Sequence, residues 1–174
     1  MTVLASALAP FTLEGKVALI SGAAQGLGME IAALFLDVGA SVVLTDINGD
    51  AARATADELS AKGPVLGLAM DVADEAAVDA AFAAAASKFG GVDVLVNNAG
   101  VSLVSSVFSD DETFLSSWDH TIAINVTAHA HMIRACLPHL LKAPNGGRVV
   151  NIASTEAIVA TGGISAYTAS KHAV

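Results

Sequence analysis

The sequence predicts an α/β fold, a doubly wound parallel sheet with helices on both faces. Short β-branched or apolar runs alternate with longer helical ones, and the short runs are apolar nearly throughout, as in strands buried on both sides. Glycines follow three of the helical segments as C-terminal stops. Strands are expected over residues 17–21, 41–46, 65–70, 92–97 and 148–153, and helices over 27–38, 50–61, 74–89 and 117–142. Gly39, Gly63 and the pair Gly90 and Gly91 are the stops. Such alternation implies right-handed crossovers.

A chain of 174 residues is long enough for one sizeable core, and the expected domain runs over 13–174 behind a flexible tail at 1–12. The composition is 54% hydrophobic and 14% charged, which excludes a disordered or fibrous protein. The net charge of −9 argues against nucleic acid and an anionic membrane surface, leaving small molecules as the expected partners. Residues 1–10 lack the basic start of a secretory signal, and no apolar run approaches the length of a membrane span. Cys136, the one cysteine, cannot form an internal disulfide, which fits a reducing cytoplasm; in its apolar helical run it reads as a buried, inert thiol.

The turn after the first strand reads Ser21-Gly22-Ala23-Ala24-Gln25-Gly26-Leu27-Gly28. Glycines at such a turn let the backbone bend tightly and approach a pyrophosphate, while the following helix offers unpaired N–H groups to the anion. No Lys-Ser or Lys-Thr follows, so this is not a P-loop for ATP or GTP. Asp46 ends the second strand, eighteen residues after Gly28. A carboxylate there accepts hydrogen bonds from adenosine ribose hydroxyls and repels the extra phosphate of NADP, so NAD is the expected cofactor. Gln25, Ile47 and Asn48 offer that phosphate no cation. The plainer alternative makes Asp46 a helix cap or loop carboxylate.

Tyr167 and Lys171 lie four residues apart, thirteen and seventeen residues after Ser154. On a helix they share a face, where an ammonium favours an ionised phenol, a group that otherwise titrates near pH ~10. The pair is a candidate acid–base device, although taken alone such a pair reads first as ordinary neighbours on a solvated helix.

Together these residues resemble the classical short-chain dehydrogenases/reductases over nearly all the chain. The glycine turn is similar to the family's T-G-x-x-x-G-x-G motif, with Ser21 in place of Thr. Asp71-Val72 resembles the adenine-contacting pair, and Asn97-Asn98-Ala99-Gly100 matches N-N-A-G. Asn125, Ser154, Tyr167 and Lys171 follow the order of the catalytic tetrad. The resemblance implies a Rossmann-like fold and hydride transfer between NAD(H) and a secondary alcohol or ketone. It makes Tyr167 the acid–base, Ser154 the hydrogen-bond partner of the same oxygen, and Lys171 the group that tunes the phenol and holds the nicotinamide ribose. Asn125, through a helix distortion and a bound water, would join Lys171 to a proton relay. Gly22, Gln25, Gly26, Leu27, Gly28, Asp46, Ile47, Asp71, Val72, Asn98, Ala99 and Gly100, with Tyr167 and Lys171, are the expected NAD contacts. Plainer roles stand beside these: Asp71 as a helix cap, Asn98 as backbone support, Asn125 paired with a carbonyl, Ser154 as a cap or turn.

No metal site is expected. His129 and His131 are two apart on a helix and face different ways, while Asp110, Asp111 and Glu112 read as a loop or helix entry. The family continues past the Tyr-x-x-x-Lys helix into further strands and a substrate-covering segment, whereas this sequence ends at Val174; the expectation is an incomplete sequence of a longer enzyme, with residues 148–153 left as an exposed edge. The alternatives are a silent nucleotide-binding fragment, or an NADPH-using enzyme like the 3-oxoacyl-carrier-protein reductases. A homo-oligomer, dimer or tetramer, is implied for the full-length form.

Overall fold

β1 (Val17–Ser21), buried along its whole length, is the centre of the sheet. It pairs in parallel with β2 (Ser41–Asp46) on one side and β4 (Val94–Asn97) on the other. β3 (Val65–Ala69) continues beyond β2, and β5 (Arg148–Asn151) beyond β4, giving the order β3-β2-β1-β4-β5. The computed structural model describes residues 11–174, so the predicted tail lies outside the described residues up to position 10. From Leu13 the chain is anchored, its N–H donating to the Val38 carbonyl at 2.9 Å.

Strand side chains alternate between faces, and here both faces are apolar. Leu19, Val43 and Leu95 point into one core, where α3 (Glu75–Phe89) and α5 (Ala128–Leu140) contribute Val78, Phe82, Met132 and Cys136. Ile20, Val42, Leu44 and Val96 point into the other, against Ala32 and Leu36 of α1 (Gly26–Asp37) and Ala52 and Leu59 of α2 (Gly49–Leu59). Fully burying a leucine such as Leu19 or Leu95 contributes ~1.5–3 kcal/mol. The sheet is doubly wound, as the unbroken apolar strands require. Strand order reverses between β1 and β4, and in such a sheet the crevice at the carboxyl ends is the place for a ligand.

Side-chain caps set three of the six α-helix starts among the described residues. Asn48 Oδ1 accepts from Ala51 N–H at 3.1 Å, and Asp74 Oδ1 from Ala76 N–H at 2.9 Å. Asp74, not Asp71, therefore caps α3. Asp110 Oδ1 accepts from Thr113 N–H at 2.8 Å and starts α4 (Asp111–Ile122) six residues before the expected start at Ser117. The acidic group at 110–112 is thus a helix entry, with carboxylates at the positive end of the dipole. The long helix is also not continuous: α4 passes into a π-helical stretch, Ala123–Thr127, before α5 begins.

Other boundaries shift by less. α2 stops at Leu59 because the Ser60 hydroxyl turns back to the Asp57 carbonyl at 2.7 Å. β5 is the exposed edge expected for this stretch rather than a strand covered on both faces: all four residues are exposed, Val150 at 41%, because β4 is its one neighbour among the described residues. A last helix, α6 (Ser165–Ala173), carries Tyr167 and Lys171. Among the described residues no helix is long and apolar enough to cross a membrane.

Candidate active site

The glycine turn and the N-N-A-G segment face one another across the switch point. Gly22 has φ +62°, and a Cβ placed on it would stand 2.8 Å from the Ala99 Cα, closer than real atoms approach. Gly28 is crowded in the same way, by the Asn98 Nδ2 and the Gly22 carbonyl at 2.6 Å. Asn98 clamps the turn, its Nδ2 donating to the Ser21 and Gly22 carbonyls at 2.9 and 2.8 Å. Ser21 answers with its hydroxyl, which accepts from the N–H groups of Asn98 and Ala99 at 3.1 Å each. Ser21, at the position of the family motif's Thr, thus supplies a hydroxyl that holds the N-N-A-G segment.

These segments wall a cleft of about 400 Å³. Gly22, Gln25, Asp46 and Ile47 line one side, Asp71 and Val72 the floor of the adjoining turn, and Asn98, Ala99 and Gly100 the other side. Met70, Val101, His120 and Ile124 complete the lining, and the sequence motifs do not mark them as cleft residues. Gly26, Leu27 and Gly28 stand at the start of α1, which has no side-chain cap and no acidic residue in its first turn. Its N–H groups are left for an anion. Asp46 caps no helix; its carboxylate accepts from Ala24 N–H at 3.2 Å and Asn48 N–H at 3.0 Å, which holds it at the cleft wall. Asp71 likewise holds its own turn, accepting from Ala73 N–H at 2.9 Å. A tight glycine turn, an uncapped helix start and a fixed carboxylate one strand away fit the diphosphate and ribose of a dinucleotide.

Beyond Gly100 the cleft meets a second cluster. Asn125 sits in the middle of the π-helical stretch, fully buried. Its Oδ1 accepts from Val101 N–H, and its Nδ2 donates to the Val101 carbonyl and to Ser170 Oγ, all at 2.9 Å. The helix distortion implied for Asn125 is present, and its side chain ties α6 to the segment after β4. Lys171, 4% exposed, donates to the Ile152 carbonyl at 2.7 Å, and its Nζ lies 5.7 Å from the centroid of the Tyr167 ring. Burial lowers the Lys171 pKa from its ordinary value. A Cβ on Gly100 would stand 3.3 Å from Asn125 Oδ1 and 3.7 Å from Lys171 Nζ, so the cluster abuts the cleft.

Ser154 follows β5, two residues past the carbonyl that holds Lys171. Its Oγ accepts from Glu156 N–H at 3.2 Å, the cap of a 3-10 turn at Thr155–Ala157, and its hydroxyl proton is free to donate elsewhere. Glu156 binds that turn to α6 through the Thr168 hydroxyl at 2.7 Å. Ser105 does the same for the 101–110 segment: its Oγ accepts from Ala166 N–H at 2.8 Å, and its N–H donates to the Gly163 carbonyl at 2.8 Å. Ser105, Glu156 and Ser170 carry no motif, and sequence reading missed them. Their partners are 12 to 61 residues away for the bonds to Thr168, Asn125 and Ala166, too far for local spacing to signal.

The short chain dehydrogenase family model matches residues 16–174. The D-threitol dehydrogenase of Mycolicibacterium smegmatis is 43% identical over 165 residues, covering 94% of this chain and 62% of that protein. The D-beta-hydroxybutyrate dehydrogenase of Rhizobium meliloti is 36% identical over 162 residues, 91% of this chain and 61% of that one. A short chain dehydrogenase/reductase from Burkholderia phymatum, solved in complex with NAD, superposes with a TM-score of 0.85 at 35% identity, over 94% of this chain and 57% of its own. The chain thus spans about three fifths of the length of the proteins it matches. On its sheet order, its glycine turn and these likenesses together, the chain belongs to the short-chain dehydrogenase family.

Proposed function

We propose that the protein is an NAD-dependent oxidoreductase that interconverts a secondary alcohol and a ketone. The observation that carries this is the buried ammonium of Lys171, held between the Ile152 carbonyl and the Tyr167 ring at the edge of the cleft. When bound, the dinucleotide supplies the hydride acceptor or donor. Tyr167 takes the hydroxyl proton during oxidation and returns it during reduction, and the Lys171 charge stabilises the negative phenol oxygen in between. Ser154 donates its hydroxyl proton to the substrate oxygen. Asn125 fixes Lys171's neighbourhood through Val101 and Ser170 and, by its π-helical setting, serves the proton path behind the lysine.

The diphosphate is held at the Gly22 to Gly28 turn and the start of α1, and the adenosine ribose by Asp46, with Ile47 beside it and Asp71 and Val72 at the adenine. Preference for NAD over NADP follows from the Asp46 charge, supported by a relative solved with NAD. The names of the threitol and hydroxybutyrate dehydrogenases, both for hydroxylated compounds, support an alcohol as substrate class. A homo-oligomer built on the long helix and α6, in the cytoplasm, completes the reading. The test is a screen of secondary alcohols and polyols with the intact protein, following NADH absorbance. NAD-linked oxidation of at least one, with NADP a poor substitute, is expected; NADP used as readily as NAD refutes the cofactor assignment, and no oxidation across the panel refutes the reaction.

A further inference from the structure

α5 carries two histidines in opposite settings. His131 faces outward and meets Glu75 Oε1 of α3 at 3.5 Å. His129, one helical turn after Asn125, is 8% exposed, and no protein group makes a hydrogen bond to either ring nitrogen. A buried imidazole without partners forfeits bonds it makes in water, and packing alone does not call for one. Met132, three residues on along the same helix face, belongs to an apolar core that a leucine would fill as well.

His129 lies one helical turn from Asn125, and Asn125 Oδ1 and Lys171 Nζ flank the same residue, Gly100, next to Ala99. The Ala99 carbonyl, in the segment that crowds Gly22, faces the His129 ring from the β4 side. Lys171 on α6 is the charged group whose field reaches it. Asn125, on its own helix, is committed to Val101 and Ser170, and Glu75 of α3 is turned to His131. Burial, then the Lys171 ammonium, hold His129 below the ordinary histidine value, with the Ala99 carbonyl pulling the other way. The neutral form of the ring is thus favoured over the charged one, and a neutral imidazole keeps one nitrogen without a proton. Unmatched buried nitrogens of this kind are where ordered water settles.

We propose that His129 is a proton-relay residue, passing protons between Lys171 and bulk solvent through water bound at its ring. The inference rests on Tyr167 and Lys171 as the proton-handling pair. The step moves one proton and no electrons. In alcohol oxidation the Lys171 ammonium releases a proton through the bound water to the free nitrogen of His129 and takes the phenol's proton in its place, and His129 then gives its proton to solvent; in reduction the flow reverses. A carrier beside an ammonium holds the proton only briefly, which suits a relay.

Two measurements on the intact protein decide it. The first needs no substrate: the His129 ring is followed by NMR against pH, in the wild type and in Lys171→Met. A depressed titration that rises when the lysine charge is removed is expected; an ordinary titration, or one indifferent to Lys171, overturns the proposal. The second compares His129→Gln, which hydrogen-bonds but does not titrate, with wild type. Unchanged NADH affinity, kcat for oxidation lowered roughly tenfold, below the ~10²–10⁴ of a direct acid–base group, and an altered kcat–pH profile are expected. A Gln profile that overlays the wild type shows a merely structural histidine. Failure of the NMR measurement counts against His129 alone, whereas full turnover in Tyr167→Phe counts against the reading beneath it.

Discussion

The two ends of the crevice are built by different means. On the β1 and β2 side the cleft is shaped by backbone: Gly22 and Gly28 leave no room for a Cβ, and α1 begins without a capping side chain. On the β4 and β5 side it is shaped by side-chain hydrogen bonds, from Asn125, Ser105 and Glu156, that stitch loops to α6. The first end rests on two apolar cores; the second borders an exposed edge strand. On the proposed function, the difference makes holding a dinucleotide and doing chemistry beside it separable properties, each of which can be broken alone.

The largest effect is expected from Gly22→Val. A left-handed backbone closed to β-branched residues and a Cβ against the Ala99 Cα together cost ~3 kcal/mol or more, so NADH affinity falls by over ~10²-fold. Calorimetry of NADH binding checks it, and near-normal affinity contradicts the steric account of the cradle. Ser105→Ala acts on the other end. It strips the buried Ala166 N–H of its partner, at ~1–3 kcal/mol, and is expected to lower kcat and the melting temperature while NADH affinity holds. A parallel loss of NADH affinity shows that the two ends are one unit.

Asp46→Ala sharpens the first end further. Removing the carboxylate is expected to move the NADH to NADPH preference by about tenfold, roughly 1.4 kcal/mol, with kcat on NADH little changed. The smallest effect belongs to Glu156, whose carboxyl is held below its ordinary value by the Thr161 hydroxyl and then by Thr168. A depressed folded-state value gives stability that is present above the unfolded pKa and lost as pH falls through the folded one. Glu156→Gln should therefore melt slightly below wild type at neutral pH, with the gap closing in acid. A gap that persists in acid shows that the carboxylate charge is not what binds the turn to α6.

The backbone-built end was the more legible. A run such as Val42 to Leu44 is apolar on both faces, and that pattern by itself places β2 inside the sheet. The glycine turn announced its geometry because sterics act on neighbouring residues. Long-range bonds leave no such trace: nothing near Ser105 hints that it caps a helix 61 residues on. The early start of α4 was hidden because Asp110 sits among other acidic residues, any of which reads as a cap. The polarity of His129 within an apolar run was visible, but its lack of partners was not.

The central claim is that Tyr167, beside Lys171, handles the proton while the glycine-lined cleft holds the dinucleotide independently. Tyr167→Phe tests it most directly, with NADH affinity measured by calorimetry and turnover by NADH absorbance on the same sample. Turnover lost with affinity unchanged is the predicted result. Retained turnover, or an affinity that falls in step with it, would contradict the account.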